Sequence, residues 1–336
     1  MNTIQSPMRA LASCLVVAAL CGCGKQTSKP VEPRIEEMRF ACDASFENIM
    51  DQEIDVFEYS YNTSRRQAWV IPYYVSQRAA IDSLLDQNNS IRTVVTSRTL
   101  NAQEKAYLKN RKLNVREKRI AVDAIALIVN KENPQDQISL KELRAVLSGE
   151  EPLWNDMWPS KLDTVRVVFD QNGSSVMQFV KDSICGGKPF ASNVYAEQSA
   201  RDVFDAVTSR KDALGIVGVS WISANMDGTT LSKEEMRRRS TASDTTNLAF
   251  NSQIKVLAVS GDESIEAFKP YQAYIYDGRY PLYRSVYMTT TTVGGTLNNA
   301  FYAFVTGMQG QKVIQLTGVL PGLFQPRMVS VSVAGQ

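Results

Sequence analysis

The sequence predicts an α/β protein with parallel sheet at its core, and two observations carry that expectation. Apolar runs of strand length alternate with segments whose apolar residues recur at helical spacing, the order that builds parallel sheets. Three times, a strand runs into a short turn of small polar residues and then a helix: Cys42 to Phe46, Val95 to Leu100, and Phe169 to Val176. In an open α/β sheet the carboxyl ends of the strands face the ligand crevice. Helix N-termini gathered there present free N–H groups and a partial positive charge, and neighbouring hydroxyls add donors. Such a setting holds a tetrahedral anion without histidine or metal.

The elements follow in order. Glu37 to Cys42 alternates, with Met38, Phe40 and Cys42 on one face, as a strand does. Asp43 offers a helix cap, and Phe46, Ile49 and Met50 follow at helical spacing. Trp69 to Tyr73 reads as a strand, Ala79 to Leu85 as a helix, and Ile91 to Val95 as a third strand. Ser97-Arg98-Thr99 and a helix rich in Glu and Lys come next. Ile120 to Asn130 is the longest apolar strand, and Leu140 to Leu147 is a helix stopped by Gly149. The strand Val165 to Phe169 leads into Asp170-Gln171-Asn172-Gly173-Ser174-Ser175. There Val176, Phe179, Val180 and Ile184 make one apolar helix face. Leu214 to Val219 and Ile254 to Val259 are strands, and Leu297 to Met308 and Gln311 to Leu316 are helical. Asp227 to Asn247, which contains Arg237-Arg238-Arg239, reads as a solvated loop or face. Trp154 and Trp158, beside Leu153 and Pro159, read as core rather than as a sugar-stacking pair.

Composition removes whole classes of function. The chain has no histidine, which excludes Ser-His-Asp and Cys-His nucleophile systems and the commonest zinc ligand. There is no Gly-x-Ser-x-Gly elbow and no phosphate-loop lysine motif. Asp43, Asp123 and Asp170 could in principle form a carboxylate cluster for acid–base work, but no enzyme is expected, and no cofactor or metal. With 37 basic against 35 acidic side chains, no nucleic-acid partner is expected either.

The N-terminus reads as a targeting segment. Arg9 precedes the apolar stretch Leu11 to Leu20, which is too short to span a bilayer. It ends in Leu20-Cys21-Gly22-Cys23, which resembles the lipobox of bacterial lipoproteins. That resemblance implies a signal peptide over 1–22, acylation of Cys23, and a tether over 23–35. Cys42 and Cys185 then remain, in a compartment that permits disulfides. A bond between them stays open, beside the commoner reading as two small buried hydrophobes.

Several later segments, in their order and spacing, resemble the phosphate-binding proteins of ABC importers. They are Ile120 to Asn130, Asn133-Pro134, Ile138 to Leu143, Leu147-Ser148-Gly149 and Trp154. Asn172-Gly173-Ser174-Ser175 with Phe179, Leu214 to Gly218, Tyr280-Pro281-Leu282-Tyr283-Arg284 and Phe304 to Gly318 continue the series. The resemblance implies a two-lobed type II periplasmic-binding-protein fold with ligand in the cleft. Lobe 1 takes 36–119 and 282–336, and lobe 2 takes 120–281. The chain then crosses near 120 and 281, and the lobes close by hinge motion. It implies anion loops at Ala44, Ser45 and Phe46, at Ser76 or Gln77, at Thr96, Ser97 and Arg98, and at Gly173, Ser174 and Ser175.

Two positions depart from the family. Its third-loop Asp is replaced by Ser97, and its Arg before the fourth loop by Phe169. Arg98 is therefore one candidate for the missing cation, since a guanidinium grips two oxyanion oxygens at once. The alternative is that Arg98 faces solvent or pairs with Glu104, leaving Arg78 as the next candidate. Loss of the Asp would let the site tolerate sulfate. The expected function is a monomeric, lipid-anchored receptor facing the periplasm or cell exterior. It would capture a tetrahedral oxyanion, phosphate first, for an ABC permease. A sensor of the same fold without an importer, or a binder of another oxyanion such as sulfate, is the alternative.

Overall fold

A computed structural model describes residues 32–86, 88–157, 159–222, 232–241 and 254–323. The signal segment, Cys23 and Trp158 lie outside these residues. β1 (Arg34–Asp43) passes through a 3₁₀ turn, Ala44–Phe46, into α1 (Glu47–Tyr61). β2 (Arg66–Val75), α2 (Gln77–Leu85), β3 (Thr93–Thr96) and α3 (Ala102–Asn110) follow. β1 pairs in parallel with β2 and β3. α1 turns Ile49, Met50, Val56 and Phe57 inward. Phe57 meets Phe301 and Phe304 at ring distances of 5.1 and 5.3 Å, and Phe40 meets Phe301 at 5.5 Å. Such aromatic pairs add about 0.5–1.5 kcal/mol each beyond the area they bury.

β4 (Arg116–Asn130) leaves this lobe. Beyond it lie β5 (Gln137–Ser139), α4 (Leu140–Ser148), α5 (Trp154–Met157) and β6 (Arg166–Phe169). α6 (Ser175–Ser183), β7 (Val194–Ala196), α7 (Ala200–Ser209) and β8 (Ala213–Gly218) complete the second α/β run. α4 stops where expected, with Gly149 at φ 79°, a left-handed position that favours glycine. Trp154 is buried, as expected, and its indole N–H donates to the Asp212 carbonyl at 3.1 Å.

α8 (Lys233–Thr241) comes next, then β9 (Ile254–Val256), β10 (Ala258–Ser260), β11 (Ala267–Phe268) and α9 (Gln272–Tyr276). The chain returns through β12 (Tyr283–Thr290), α10 (Leu297–Val305), α11 (Met308–Leu316) and β13 (Leu320–Pro321). Ile254 to Val259, expected as one strand, is two, because β9 pairs with β4 while β10 pairs with β5 and β11.

The main sheet runs β2-β1-β3-β12-β4-β8-β6-β7, with β9 and β13 also on β4. It is mixed rather than parallel throughout. β12 is antiparallel to β3 and β4, and β4 is antiparallel to β8. The antiparallel pairs are those made by β4 and β12, adjacent at the middle of the strand order. The first half of β4 pairs with β12, and its last residues, from Ile125 on, pair with β8.

Two sequence readings change. α8 lies within the stretch expected in lobe 2, yet it packs on α1 and α11 of lobe 1. Met236 is buried there against Val56, Val313 and Leu316. Arg237, read as part of a solvated charge run, donates to both carboxylate oxygens of buried Asp55 at 2.8 and 2.9 Å. Cys42 and Cys185 are both buried free thiols, so no disulfide joins them.

Glu53 is the discordant residue of this lobe. It sits on the core face of α1 with no exposure, and neither carboxylate oxygen has a hydrogen-bond partner. A Cβ placed on Gly310 would come within 2.9 Å of Glu53 Oε2, so α11 closes tightly over the carboxyl. Burial pushes its pKa well above the usual 4.5. A carboxyl raised on folding contributes stability that is present below its unfolded pKa and lost as pH rises through the folded one. Glu53→Met is expected to be more stable than the parent at pH 8, by about 1.4 kcal/mol for each unit of upward shift and with a higher melting temperature, the gap closing toward pH 4. Melting curves of parent and variant across that range test this, and parallel pH profiles would sink it.

Candidate functional site

The register of two strands creates the centre of the site. β4 and β12 run antiparallel with Arg284 directly opposite Asp123. Leu282, just before β12, and Arg284, Val286 and Met288 along it all point inward and are buried. The side chains of Arg284 and Asp123 are only 3% and 1% exposed. Nε and Nη2 of Arg284 donate to Asp123 Oδ2 at 3.3 and 3.2 Å. The guanidinium lies 4.6 Å from the centre of the Phe46 ring, a cation–π contact inside the protein. Its Nη1 donates to the Ser175 hydroxyl.

Two of the expected anion loops meet at this cation. Asp43 caps the turn after β1, its Oδ1 accepting from the Ser45 N–H at 3.1 Å, and this aims Ser45 and Phe46 inward. On the other side, Gly173 takes φ 71° and Ser174 caps α6 by accepting from the Met177 N–H at 3.1 Å. Ser175, the first residue of the helix, is thereby released to face Ser45, and the two hydroxyls sit 3.1 Å apart. Ser45 and Ser175 are 130 positions apart in sequence. Two further contacts cross the same seam. Asn48 donates to the Ser220 carbonyl at 2.6 Å, and the Trp221 indole donates to the Ser45 carbonyl at 3.4 Å.

Three carboxyls surround the one guanidinium. Burial raises the Asp123 pKa to about 6 against the pull of Arg284 and of the Val219 N–H, with Asp43 adding repulsion. Burial also raises Asp170, and hydrogen bonds from Ser174 and the Gln171 N–H, together with Arg284, oppose it. Gly218 is the close approach that lets β8 reach this group, since a Cβ there would stand 3.0 Å from Asp123 Oδ2. Asp43 Oδ2, Asp123 Oδ1 and the Ser220 hydroxyl are buried without a protein partner.

The other expected residues fall elsewhere. Ser76 caps α2, accepting from the Ala79 N–H at 3.3 Å, and is exposed. Gln77 Oε1 accepts from both the N–H and the hydroxyl of Ser97, at 2.7 and 2.6 Å, so that loop is closed on itself. For Arg98 the structure holds the second of its two readings, the pairing with Glu104. Its two terminal nitrogens donate to Glu104 at 2.9 and 2.7 Å, and one also donates to the Thr99 carbonyl. That carboxyl caps α3 as well, so it is held in place to receive the guanidinium. Arg78, the fallback, is 92% exposed in its side chain and leans on Asp82. Phe169 stacks on Phe190 at 5.5 Å and carries no charge into the site.

Sequence reasoning therefore missed Arg284, although its signal was present. Alternation in Leu282-Tyr283-Arg284-Ser285-Val286 puts one arginine on an otherwise apolar inward face. Removing one partner of a buried ion pair leaves an uncompensated charge, at a cost of about 3–5 kcal/mol, whereas replacing both with apolar groups is often neutral. Denaturant unfolding of Asp123→Leu is expected to show that loss, and Asp123→Leu/Arg284→Met to recover most of it. Equal losses in the single and double variants would mean that the pair is not coupled.

Comparison with known proteins agrees with the fold. Over 135 residues the chain is 26% identical to the phosphate-binding protein PstS of Staphylococcus aureus, a match that takes in 39% of this chain and 40% of the relative. A Clostridium perfringens structure, assigned as a phosphate ABC transporter substrate-binding protein with bound phosphate, superposes with a TM-score of 0.63 at 16% identity. It covers 85% of this chain and 99% of that one. An ABC-type phosphate transport receptor from Vibrio cholerae gives 0.56 at 18% identity, again over 85% and 99%. At these identities the structural likeness is one of fold, and the fold is the two-lobed one. Residues 27–308 match the PBP superfamily domain, and the chain belongs to that superfamily.

Proposed function

We propose that this chain is the lipid-anchored, extracytoplasmic receptor of an ABC importer, a monomer whose cleft takes phosphate. The observation that carries the reading is Arg284, a buried guanidinium placed where Ser45 and Ser175 meet. An anion entering between the loops takes over donors that now bond each other: the two hydroxyls, the guanidinium, and N–H groups at the start of α6. The lobes are taken as 36–119 with 282–336, and 120–281, with α8 resting on the first. The likeness to PstS and to phosphate receptors supports both the ligand and a permease partner.

Phosphate is favoured over sulfate by the acceptors in the site. Asp43 Oδ2 and Asp123 Oδ1 need a donor. Hydrogen phosphate carries a proton that can supply one, and fully ionised sulfate carries none. Repulsion between a carboxylate and sulfate in a buried site is costly. The tolerance of sulfate expected from Ser97 is thus offset by carboxyls that come from other strands.

No helix among the described residues is long and apolar enough to cross a membrane. Attachment therefore rests on the lipobox-like Leu20-Cys21-Gly22-Cys23.

Calorimetry tests the ligand. Phosphate is expected to bind well above sulfate. Arg284→Lys keeps the charge but not the two-pronged grip, and is expected to lose about 1.5–3 kcal/mol, the worth of a charge-assisted bond. Arg98→Ala should bind as the parent does, and Asp43→Asn should narrow the gap between phosphate and sulfate. Loss in Arg98→Ala with none in Arg284→Lys would overturn the assignment. Membrane fractionation tests the anchor: Cys23→Ala is expected to leave the membrane fraction, and a variant that still partitions like the parent would refute lipidation.

A further inference from the structure

One face of the first two strands is bare. β1 and β2 pair in parallel without a slip, so Ile35, Glu37 and Arg39 stand beside Gln67, Trp69 and Ile71, and Ala41 beside Tyr73. Side chains alternate across a strand. Of the even-numbered set, Met38, Phe40, Ala68 and Val70 are buried, with α1 packed on β2 and α10 on β1. On the odd-numbered face α2 packs on β1, and Ala41 is buried. Toward the start of the strands, and along the outer strand, that face stays open. Ile35 is 65% exposed, Trp69 59% and Tyr73 43%. β2 is also the outermost strand of the sheet. Arg39 shares this face and pairs with Glu37 at 2.7 Å, and Arg65 is exposed just before β2 begins.

We propose that this face rests on the lipid surface to which the chain is tethered, an inference that depends on acylation of Cys23. Cys23 and Arg34 are eleven positions apart, so the start of β1 stays within about 40 Å of the acyl group. The exposed strip begins at the next residue, Ile35, with Trp69 and Tyr73 on the outer strand and the Glu37–Arg39 ion pair between them. Trp and Tyr favour the zone between hydrocarbon and water, where the ring is sheltered and its polar edge stays wet. Arginines bordering such a strip are drawn to anionic headgroups. The strip has the composition of a membrane-contacting face, and it starts where the tether ends. The loop that carries Ser45 begins past the far end of β1, at Asp43, so Ile35 and Trp69 can rest on lipid while the cleft stays in water.

The acylated full chain, reconstituted in vesicles of phosphatidylethanolamine and phosphatidylglycerol with brominated acyl chains, provides the test. Tryptophan quenching is compared between parent and Trp69→Phe. The parent is expected to be quenched several-fold more than the variant, and the difference to shrink when phosphatidylglycerol is omitted. Equal quenching in a chain that floats with the vesicles overturns this contact and leaves the anchor standing. A chain that does not float removes the anchor and the contact together. Shielding of Trp69 from a soluble quencher without vesicles, growing with protein concentration, assigns the face to a second copy instead and also overturns the proposal.

Discussion

The structure depends on one buried charge pair. Arg284 and Asp123 face each other across β12 and β4, so the interaction that fixes their register also buries a cation beside Ser175. Neither charge is tolerable there alone. Together they leave the guanidinium free to serve Ser175 and to lie over Phe46. A one-residue slip of β12 against β4 would turn Arg284 to the opposite face of the sheet.

Around that pair the electrostatics are closely balanced. Three carboxyls and one guanidinium share a small volume, and burial works against the charged carboxylates. It lifts Asp123 to about 6 and Asp170 upward as well, so the surroundings of Arg284 are less negative than a count of acids suggests. A single proton, on the protein or on its ligand, changes the balance. A ligand that brings both negative charge and a hydrogen to donate suits such a site better than one that brings charge alone.

The seam between the lobes is stitched by more than two strands. α8 belongs in sequence to the stretch between β8 and β9 yet packs on α1 and α11, held by Met236 and by the Arg237–Asp55 pair. Asn48 to Ser220 and Trp221 to Ser45 add hydrogen bonds across the same boundary. A hinge motion of the kind the fold allows would have to break these contacts or carry them along. Glu53 lies within the same packing, under Gly310 of α11, and weakens the lobe to which α8 is fastened as pH rises.

By itself the sequence determined the alternation of strands and helices, the helix stop at Gly149, the buried Trp154, and the loops at Ser45 and Ser175. Each of these is local: a period, a cap or a turn residue is readable within a few positions. It also carried the order of segments that marks the superfamily. What it did not decide was which arginine is buried beside Ser45 and Ser175. Arg98 stood in the right loop, but a carboxyl six residues away, already held as a helix cap, claims it. Arg284 stood in a segment quoted only for its resemblance. Its partner is 161 positions distant, and its role exists only once β12 is laid antiparallel beside β4. The same holds for α8, whose lobe is set by the apolar surface waiting on α1 and α11. Local chemistry is written in the sequence, whereas long-range pairing is decided by strand register and by which buried charges can be matched.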